Sequence, residues 1–187
     1  MSNVELYGGA AEMFLPPGFF DVSKIRQVPD TQEGFANIDS DQAVVVEILQ
    51  YDADKADGFD ALAHYAQDIA EGNGATEPVP LSPQDVTTHT VCEQMRPRTS
   101  YCGSISFRQR IAKFSDAAAN DVLVIVGLIR LPSVSTDIVI SLSSPLSIDS
   151  ASSSARSAVR CVTPKEALST LDAALSSFVV HCWSLFG

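Results

Sequence analysis

The most constraining feature of this sequence is a pair of apolar, β-branched runs joined by a short turn. The runs are Val122 to Leu131 and Asp137 to Leu142, and Pro132 lies in the segment between them. Parallel strands need a long crossover connection, which this segment is too short to supply. The two runs are therefore predicted to form neighbouring antiparallel strands.

Further strands are predicted from β-branched enrichment and from alternation of apolar and polar residues. They cover Val4 to Tyr7, Gln42 to Leu49 as a central strand, and Thr87 to Met95 paired as a hairpin with Thr99 to Lys113. A short helix capped by Asp21 is expected after the first strand, and Pro29 prevents it from continuing.

Two longer helices are predicted, one in each half of the chain. The first covers Phe59 to Ala70, where apolar residues recur at helical spacing. The second begins at Thr163, which forms a capping-box pattern with Glu166, and Pro164 occupies the first helical position. Its apolar stripe should lie on the sheet and consists of Leu168, Leu171, Leu175 and Phe178.

These elements predict an α+β fold in which a mostly antiparallel β-sheet is sandwiched between helices, in α/β/α layers. The sequence contains no internal repeat and no linker, so residues 1–187 are predicted to form a single domain. The Ser- and Ala-rich segment Ile148 to Arg156 is predicted to be a mobile loop.

The excess of acidic residues indicates a basic protein rather than a nucleic acid as the binding partner. Asp and Glu total 23 against 12 Lys and Arg, which gives a formal net charge of −11. Nucleic-acid binding requires clustered basic residues, whereas an acidic surface attracts a basic protein surface.

The first ten residues lack the pattern of a secretory signal, and the longest apolar run contains Arg130 and is too short to span a bilayer. The chain is therefore expected to be soluble and intracellular, with its four cysteines as free thiols.

Three short segments or residue sets are candidates for a metal or phosphate site, and none of them matches the known sequence pattern of such a site. Asp52 to Gly58 resembles a calcium loop, but counting from Asp52 the sixth position is Asp57 rather than Gly, and the twelfth is Ala63 rather than Glu. Gly72-Asn73-Gly74 follows a helix and lacks the remaining residues of a phosphate loop. The three histidines have no metal-binding spacing. A nucleophilic site assembled in space stays open as an alternative, and it would require a cleft with converging polar groups near Cys92 or His89.

The segment Arg26 to Glu33 is the remaining candidate for function. Pro29 restricts the backbone, so that Asp30 and Glu33 are predicted to project from one turn at the surface. Such a pair could dock a basic partner. The same pattern also fits a solvated acidic loop, and the residues alone leave both interpretations open.

The same part of the chain resembles the opening signature of the Ran guanine-nucleotide release factors. The matching blocks are Leu6 to Ala10, Leu15 to Ser23 and Arg26 to Glu33. Further similarity lies in Val44 to Leu49, Leu128 to Leu131, Thr136 to Ser141 and Ser184 to Phe186. The resemblance spans nearly the whole chain and is weak between Ala75 and Ala119.

The resemblance implies a fold shared with the PsbP subunits of photosystem II, and binding to the Ran GTPase with release of its nucleotide in nuclear import. The expected partner-binding residues are Asp30 and Glu33, with Gln32, Pro29, Asp21 and Arg26 beside them in the matching blocks. No catalytic residue, metal or cofactor is predicted, and the protein is expected to act as a monomer in the nucleus and cytoplasm, away from nucleic acid and membranes. The alternative function is that of a PsbP-like accessory or small-molecule-binding domain without exchange activity.

Overall fold

The computed structural model describes residues 2–112, 118–152, 155 and 160–187. Within them the strands are β1 Ser2–Leu6, β2 Ala11–Leu15, β3 Phe19–Asp21, β4 Gln32–Asn37, β5 Gln42–Gln50, β6 Thr87–Thr88, β7 Tyr101–Ala112, β8 Ala119–Leu131, β9 Thr136–Ser147 and β10 Val179–Val180. The α-helices are α1 Phe59–Gly72 and α2 Pro164–Ser177, and the predicted short helix capped by Asp21 is confirmed as a 3-10 helix over Val22–Lys24. In the described part of the chain, no helix is long and apolar enough to cross a membrane.

The main sheet is antiparallel throughout its described strands. Its strand order is β3-β4-β5-β9-β8-β7-β6. The predicted hairpin is confirmed, because β8 and β9 pair antiparallel with Val126 opposite Ser141. A smaller sheet of order β1-β2-β10, which the sequence did not predict, packs against α2.

Helices cover both faces of the main sheet, as predicted. On β8, Ile125 and Ile129 point to the face covered by α2, while Val124 and Val126 belong to the core beneath α1. Alternate residues of a strand point to opposite faces, so one strand contributes to both cores. Gly127 lets α2 approach closely, since a Cβ there would lie 2.9 Å from the Leu175 Cδ2 atom.

The capping box that starts α2 is confirmed. Glu166 N donates to the Thr163 hydroxyl at 3.2 Å, and Thr163 N donates to the Glu166 carboxylate at 2.8 Å. The predicted apolar stripe is correct for the buried residues Leu171, Leu175 and Phe178. It is wrong for Leu168, which is 43% exposed because it borders a cleft rather than the sheet.

Two other predictions need correction or qualification. Thr87 to Met95 is not a full strand, since only Thr87–Thr88 pair with β7. The chain then leaves the sheet, and Val91 and Met95 are buried in the core beneath α2 instead of continuing the ladder. Ser153, Ser154 and Arg156 of the predicted mobile loop lie outside the described residues. In the described part of that loop, Asp149 N donates to Asn120 Oδ1 at 2.9 Å.

Candidate partner-binding site

A tight turn precedes β4 and presents Asp30 to solvent. Gln32 N donates to the Pro29 carbonyl oxygen at 2.9 Å, which closes the turn across Asp30. Arg26, Pro29 and Asp30 are all exposed. The prediction that both carboxylates lie in this turn is wrong for Glu33, because pairing with β5 already begins at Gln32.

Glu33 instead holds a second turn in place. Its Oε1 atom accepts a hydrogen bond from the Tyr7 backbone N–H at 2.6 Å. Tyr7 has a φ of 51°, and Gly8 and Gly9 follow with φ of 65° and 88°. A non-glycine residue is strained in this left-handed region, so an external partner for its N–H helps to maintain the turn.

The Tyr7 side chain ties this turn to the strands beneath it. The phenol oxygen lies 3.2 Å from the Thr31 carbonyl oxygen and 3.2 Å from that of Val46. Burial raises the pKa of Tyr7, and the carboxylates of Glu33 and Glu47 raise it further, so the phenol stays a neutral donor. Glu33 and Tyr7 thus join the turn after β1 to the turn before β4.

Gln32 positions a second carboxylate on the neighbouring strand. It lies opposite Glu47 in the β4–β5 ladder, and its Nε2 atom donates to Glu47 Oε1 at 2.7 Å. Because alternate residues of a strand point to opposite faces, this pair lies on the face of the sheet opposite to Glu33, and the contribution of Gln32 to the site is to close the turn.

Beside Glu33 lies an open cleft of about 670 Å³ that brings predicted and unpredicted residues together. Asp21 and Glu33 line it with Glu5 and Lys24, and aromatic rings complete the wall at Phe19, Phe20 and Phe35. Asp21 Oδ1 accepts from Ser23 N at 2.8 Å. Hydrogen bonding to Ser23, together with the nearby Lys24 ammonium, lowers the pKa of Asp21, so this carboxylate stays charged.

We call four carboxylates the acidic surface: Glu5, Asp21 and Glu33, which line the cleft, and Asp30 in the exposed turn just before β4. Carboxylates at partly exposed positions can pair with Lys or Arg of a partner at little desolvation cost. The sequence predicts Asp21, Asp30 and Glu33 at this surface, but not Glu5 or the role of Tyr7. Both of these residues lie around the end of β1, far from the others in sequence, and no local signal marks them.

Replacing Glu33 with alanine is expected to loosen the turn at Tyr7. The variant loses a charged acceptor, so the free energy of unfolding should fall by about 1.5 kcal/mol, and the Tyr7 amide should exchange faster with solvent. Urea unfolding and amide hydrogen exchange measure the two effects. Glu33→Gln, whose amide oxygen still accepts, should retain most of the protection, and unchanged Tyr7 exchange in Glu33→Ala would contradict this role.

Comparisons with known proteins show which family this chain belongs to. The sequence profile of the family described as Ran-interacting Mog1 protein matches residues 4–145. A Ran guanine nucleotide release factor of Danio rerio is 35% identical over 150 residues, covering 80% of this chain and 81% of that protein. The nuclear import protein MOG1 of Saccharomyces cerevisiae is 33% identical over 161 residues, covering 80% of this chain and 69% of the relative.

A solved structure agrees with the sequence comparisons. The Saccharomyces cerevisiae Ran-binding protein Mog1p superposes with a TM-score of 0.74 at 29% identity, covering 100% of this chain and 98% of that one. The likeness therefore extends from the sequence blocks to the whole arrangement of strands and helices. The chain belongs to the family of Ran-interacting Mog1 proteins.

Proposed function

We propose that this protein binds the Ran GTPase and promotes release of its guanine nucleotide, in support of nuclear protein import. The family match over residues 4–145 carries the proposal, because it includes every residue of the acidic surface. Relatives named as Ran guanine nucleotide release factors and nuclear import proteins support it.

Asp30 and Glu33 are the central contacts in this proposal, with Asp21 beside them in the cleft. Asp30 is exposed and free to approach a basic side chain of the GTPase, while Glu33 and Asp21 face the same cleft from neighbouring strands. Pro29 and Gln32 support this arrangement through the turn, and Arg26 is the exposed cation at its edge. The overall charge of −11 would orient a basic partner surface toward these groups.

Nucleotide release requires no covalent chemistry in this proposal. If the protein binds nucleotide-free Ran more tightly than nucleotide-bound Ran, linkage requires that it weaken nucleotide binding by the same factor. The carboxylates would pair with basic groups that otherwise hold the phosphates, or disturb the magnesium site of the GTPase. The chain would act as a monomeric single domain over residues 1–187, in the nucleus and cytoplasm, with no cofactor, nucleic acid or membrane taking part.

The test is binding and nucleotide release measured together. Ran loaded with fluorescent GDP or GTP should lose its nucleotide faster when the protein is added, by about 5- to 150-fold, the usual range of coupling between two sites. Capture of Ran should be strongest in the nucleotide-free state and should weaken as salt rises. Equal capture of all three nucleotide states, with no change in release, would contradict the proposal.

A further inference from the structure

A serine, a histidine and an aspartate form a hydrogen-bonded chain far from the acidic surface. His89 Nδ1 lies 2.8 Å from Asp172 Oδ1, and His89 Nε2 lies 2.7 Å from Ser104 Oγ. The imidazole can therefore accept the serine proton through Nε2 while its Nδ1–H donates to the carboxylate. This connectivity is the one a nucleophilic serine requires.

Three elements of the fold bring these residues together. Ser104 lies on β7, opposite Thr87 of β6. His89 follows β6 directly, and its backbone N–H donates to the Cys102 carbonyl oxygen at 3.0 Å, which places the ring over β7. Asp172 projects from α2, which covers the same face of the sheet. The arrangement could not be recognised from local sequence, since the three positions lie far apart along the chain.

The chain of hydrogen bonds opens into a cleft of about 600 Å³ between β6 and α2. Ser104 is 4% exposed at the cleft floor, and Asp172 lies at the rim with its side chain 62% exposed. The exposed Leu168 forms an apolar part of the wall. Lys165 and Thr90 also line the cleft, and both side chains carry hydrogen-bond donors of the kind that stabilise a negatively charged oxygen.

The other two histidine–carboxylate pairs among the described residues have no serine hydroxyl bonded to the second ring nitrogen. His64 Nε2 lies 3.5 Å from Asp68 one helical turn away, and His181 Nε2 lies 3.4 Å from Glu12. Neither ring has a described contact with a hydroxyl group. The His89 arrangement thus differs from an ordinary surface ion pair by its buried serine and by its cleft.

We propose that Ser104, His89 and Asp172 form a hydrolytic site for short-chain carboxylic esters. Ser104 Oγ would attack the ester carbonyl carbon as its proton moves to His89 Nε2, and the alcohol would leave with that proton as its C–O bond breaks. Water then adds to the acyl-serine and gives a proton to His89, which returns it to Oγ as the acyl C–O bond breaks. One ester and one water thus give one acid and one alcohol.

The cleft selects the substrate by size and polarity. Because Ser104 is nearly buried, a short acyl group can reach it and a bulky one cannot. The acyl chain would lie against Leu168, and the carbonyl oxygen would face the donors at Lys165 and Thr90.

This site is separate from the one proposed for Ran. β7 and β4 are separated by β5, β9 and β8 in the main sheet. Four strand spacings of about 4.8 Å place the two sites about 19 Å apart across the sheet. Nucleotide release and ester hydrolysis should therefore be separable by mutation.

The experiment is active-site labelling of the full chain with a fluorophosphonate probe, located by mass spectrometry, together with hydrolysis of p-nitrophenyl acetate and p-nitrophenyl octanoate. We expect the label on Ser104 and faster hydrolysis of the acetate. Ser104→Ala and His89→Ala should lose at least 100-fold in hydrolysis, in line with loss of a nucleophile or general base. His64→Ala is the matched control and should keep both labelling and hydrolysis.

Asp172→Asn tests the proposal in a variant that should fold normally, because the Asp172 side chain is largely exposed and asparagine has the same size and shape. It should lower labelling at Ser104 while circular dichroism stays unchanged. Absence of label on Ser104 in the unmodified protein, or equal hydrolysis by unmodified protein and Ser104→Ala, would overturn the proposal. A purely structural clamp would change thermal stability in these variants without any labelling. Ran nucleotide release should be the same in Ser104→Ala as in the unmodified protein.

Discussion

Replacing both Asp30 and Glu33 with lysine is expected to abolish the acceleration of nucleotide release from Ran. The double variant turns two central negative charges of the acidic surface into positive ones. A basic partner surface that was attracted would then be repelled, and like-charge contacts across an interface cost several kcal/mol. Since each 1.4 kcal/mol is a tenfold change in affinity, release should fall to the intrinsic rate of Ran.

Two comparisons separate the charge effect from damage to the fold. Glu71→Lys with Glu77→Lys makes the same change of net charge at exposed positions on and after α1, and it should leave release unchanged. Asp30→Lys alone leaves the hydrogen bond from Tyr7 to Glu33 in place, so any loss there reflects contact with the partner. Circular dichroism should show an intact fold in all three variants. Wild-type release by the double variant would exclude these carboxylates from the Ran contact.

Measuring nucleotide release also distinguishes two roles of Glu33, as a charged contact for the partner and as a hydrogen-bond acceptor that holds the turn. Its carboxylate accepts the Tyr7 N–H and also lines the cleft, so it can act on the partner directly or through the turn. Glu33→Gln keeps an acceptor for Tyr7 but removes the charge. If Glu33→Gln loses the acceleration of nucleotide release, the charge of Glu33 is what the partner contact requires. If it accelerates release like the unmodified protein, the position of the turn is what matters.

The parts of the fold that sequence predicts well are those determined by neighbouring residues. The β8–β9 hairpin follows from two apolar runs with a short connection, and the start of α2 follows from the pattern of Thr163, Pro164 and Glu166. In each case the residues that form the interaction lie within a few positions of one another. Local chemistry is then enough to specify the structure.

The parts that sequence predicts poorly depend on distant contacts. Thr87 to Met95 has the composition of a strand, yet beyond Thr88 burial of Val91 and Met95 outweighs strand pairing. Likewise the role of Glu33 depends on the strained backbone at Tyr7, 26 positions away in the chain. Propensity describes a residue in isolation, and here the tertiary surroundings decide. The sequence therefore predicts Asp30 and Glu33 as candidate contacts, but not the hydrogen bond that positions Glu33.

Arg130 shows the same dependence on distant contacts and leads to the largest predicted loss of stability. Its guanidinium is fully buried and lies 3.2 Å from Asp137, which is also fully buried. It also bonds Asp57 at 2.9 Å and the Lys55 carbonyl oxygen at 2.7 Å, holding the loop between β5 and α1. On the other side, the Tyr65 hydroxyl donates to Asp137 Oδ2 at 2.7 Å.

Arg130→Met should lower the free energy of unfolding by about 3–5 kcal/mol, because it leaves Asp137 as an uncompensated buried charge. Adding Asp137→Leu should recover part of this loss by removing that charge, although the Tyr65 hydroxyl would still lack its acceptor. Arg110→Met is the matched control, since Arg110 is exposed and lies 3.9 Å from Asp121, and its effect should stay within about 0.5 kcal/mol. Urea unfolding of the unmodified protein and of these three variants measures the free energies to be compared. Equal stability of Arg130→Met and Arg110→Met would contradict a stabilising role for the buried Arg130 network. A loss confined to Arg130→Met would show that the contacts of Arg130 with Asp137 and the β5–α1 loop stabilise the fold.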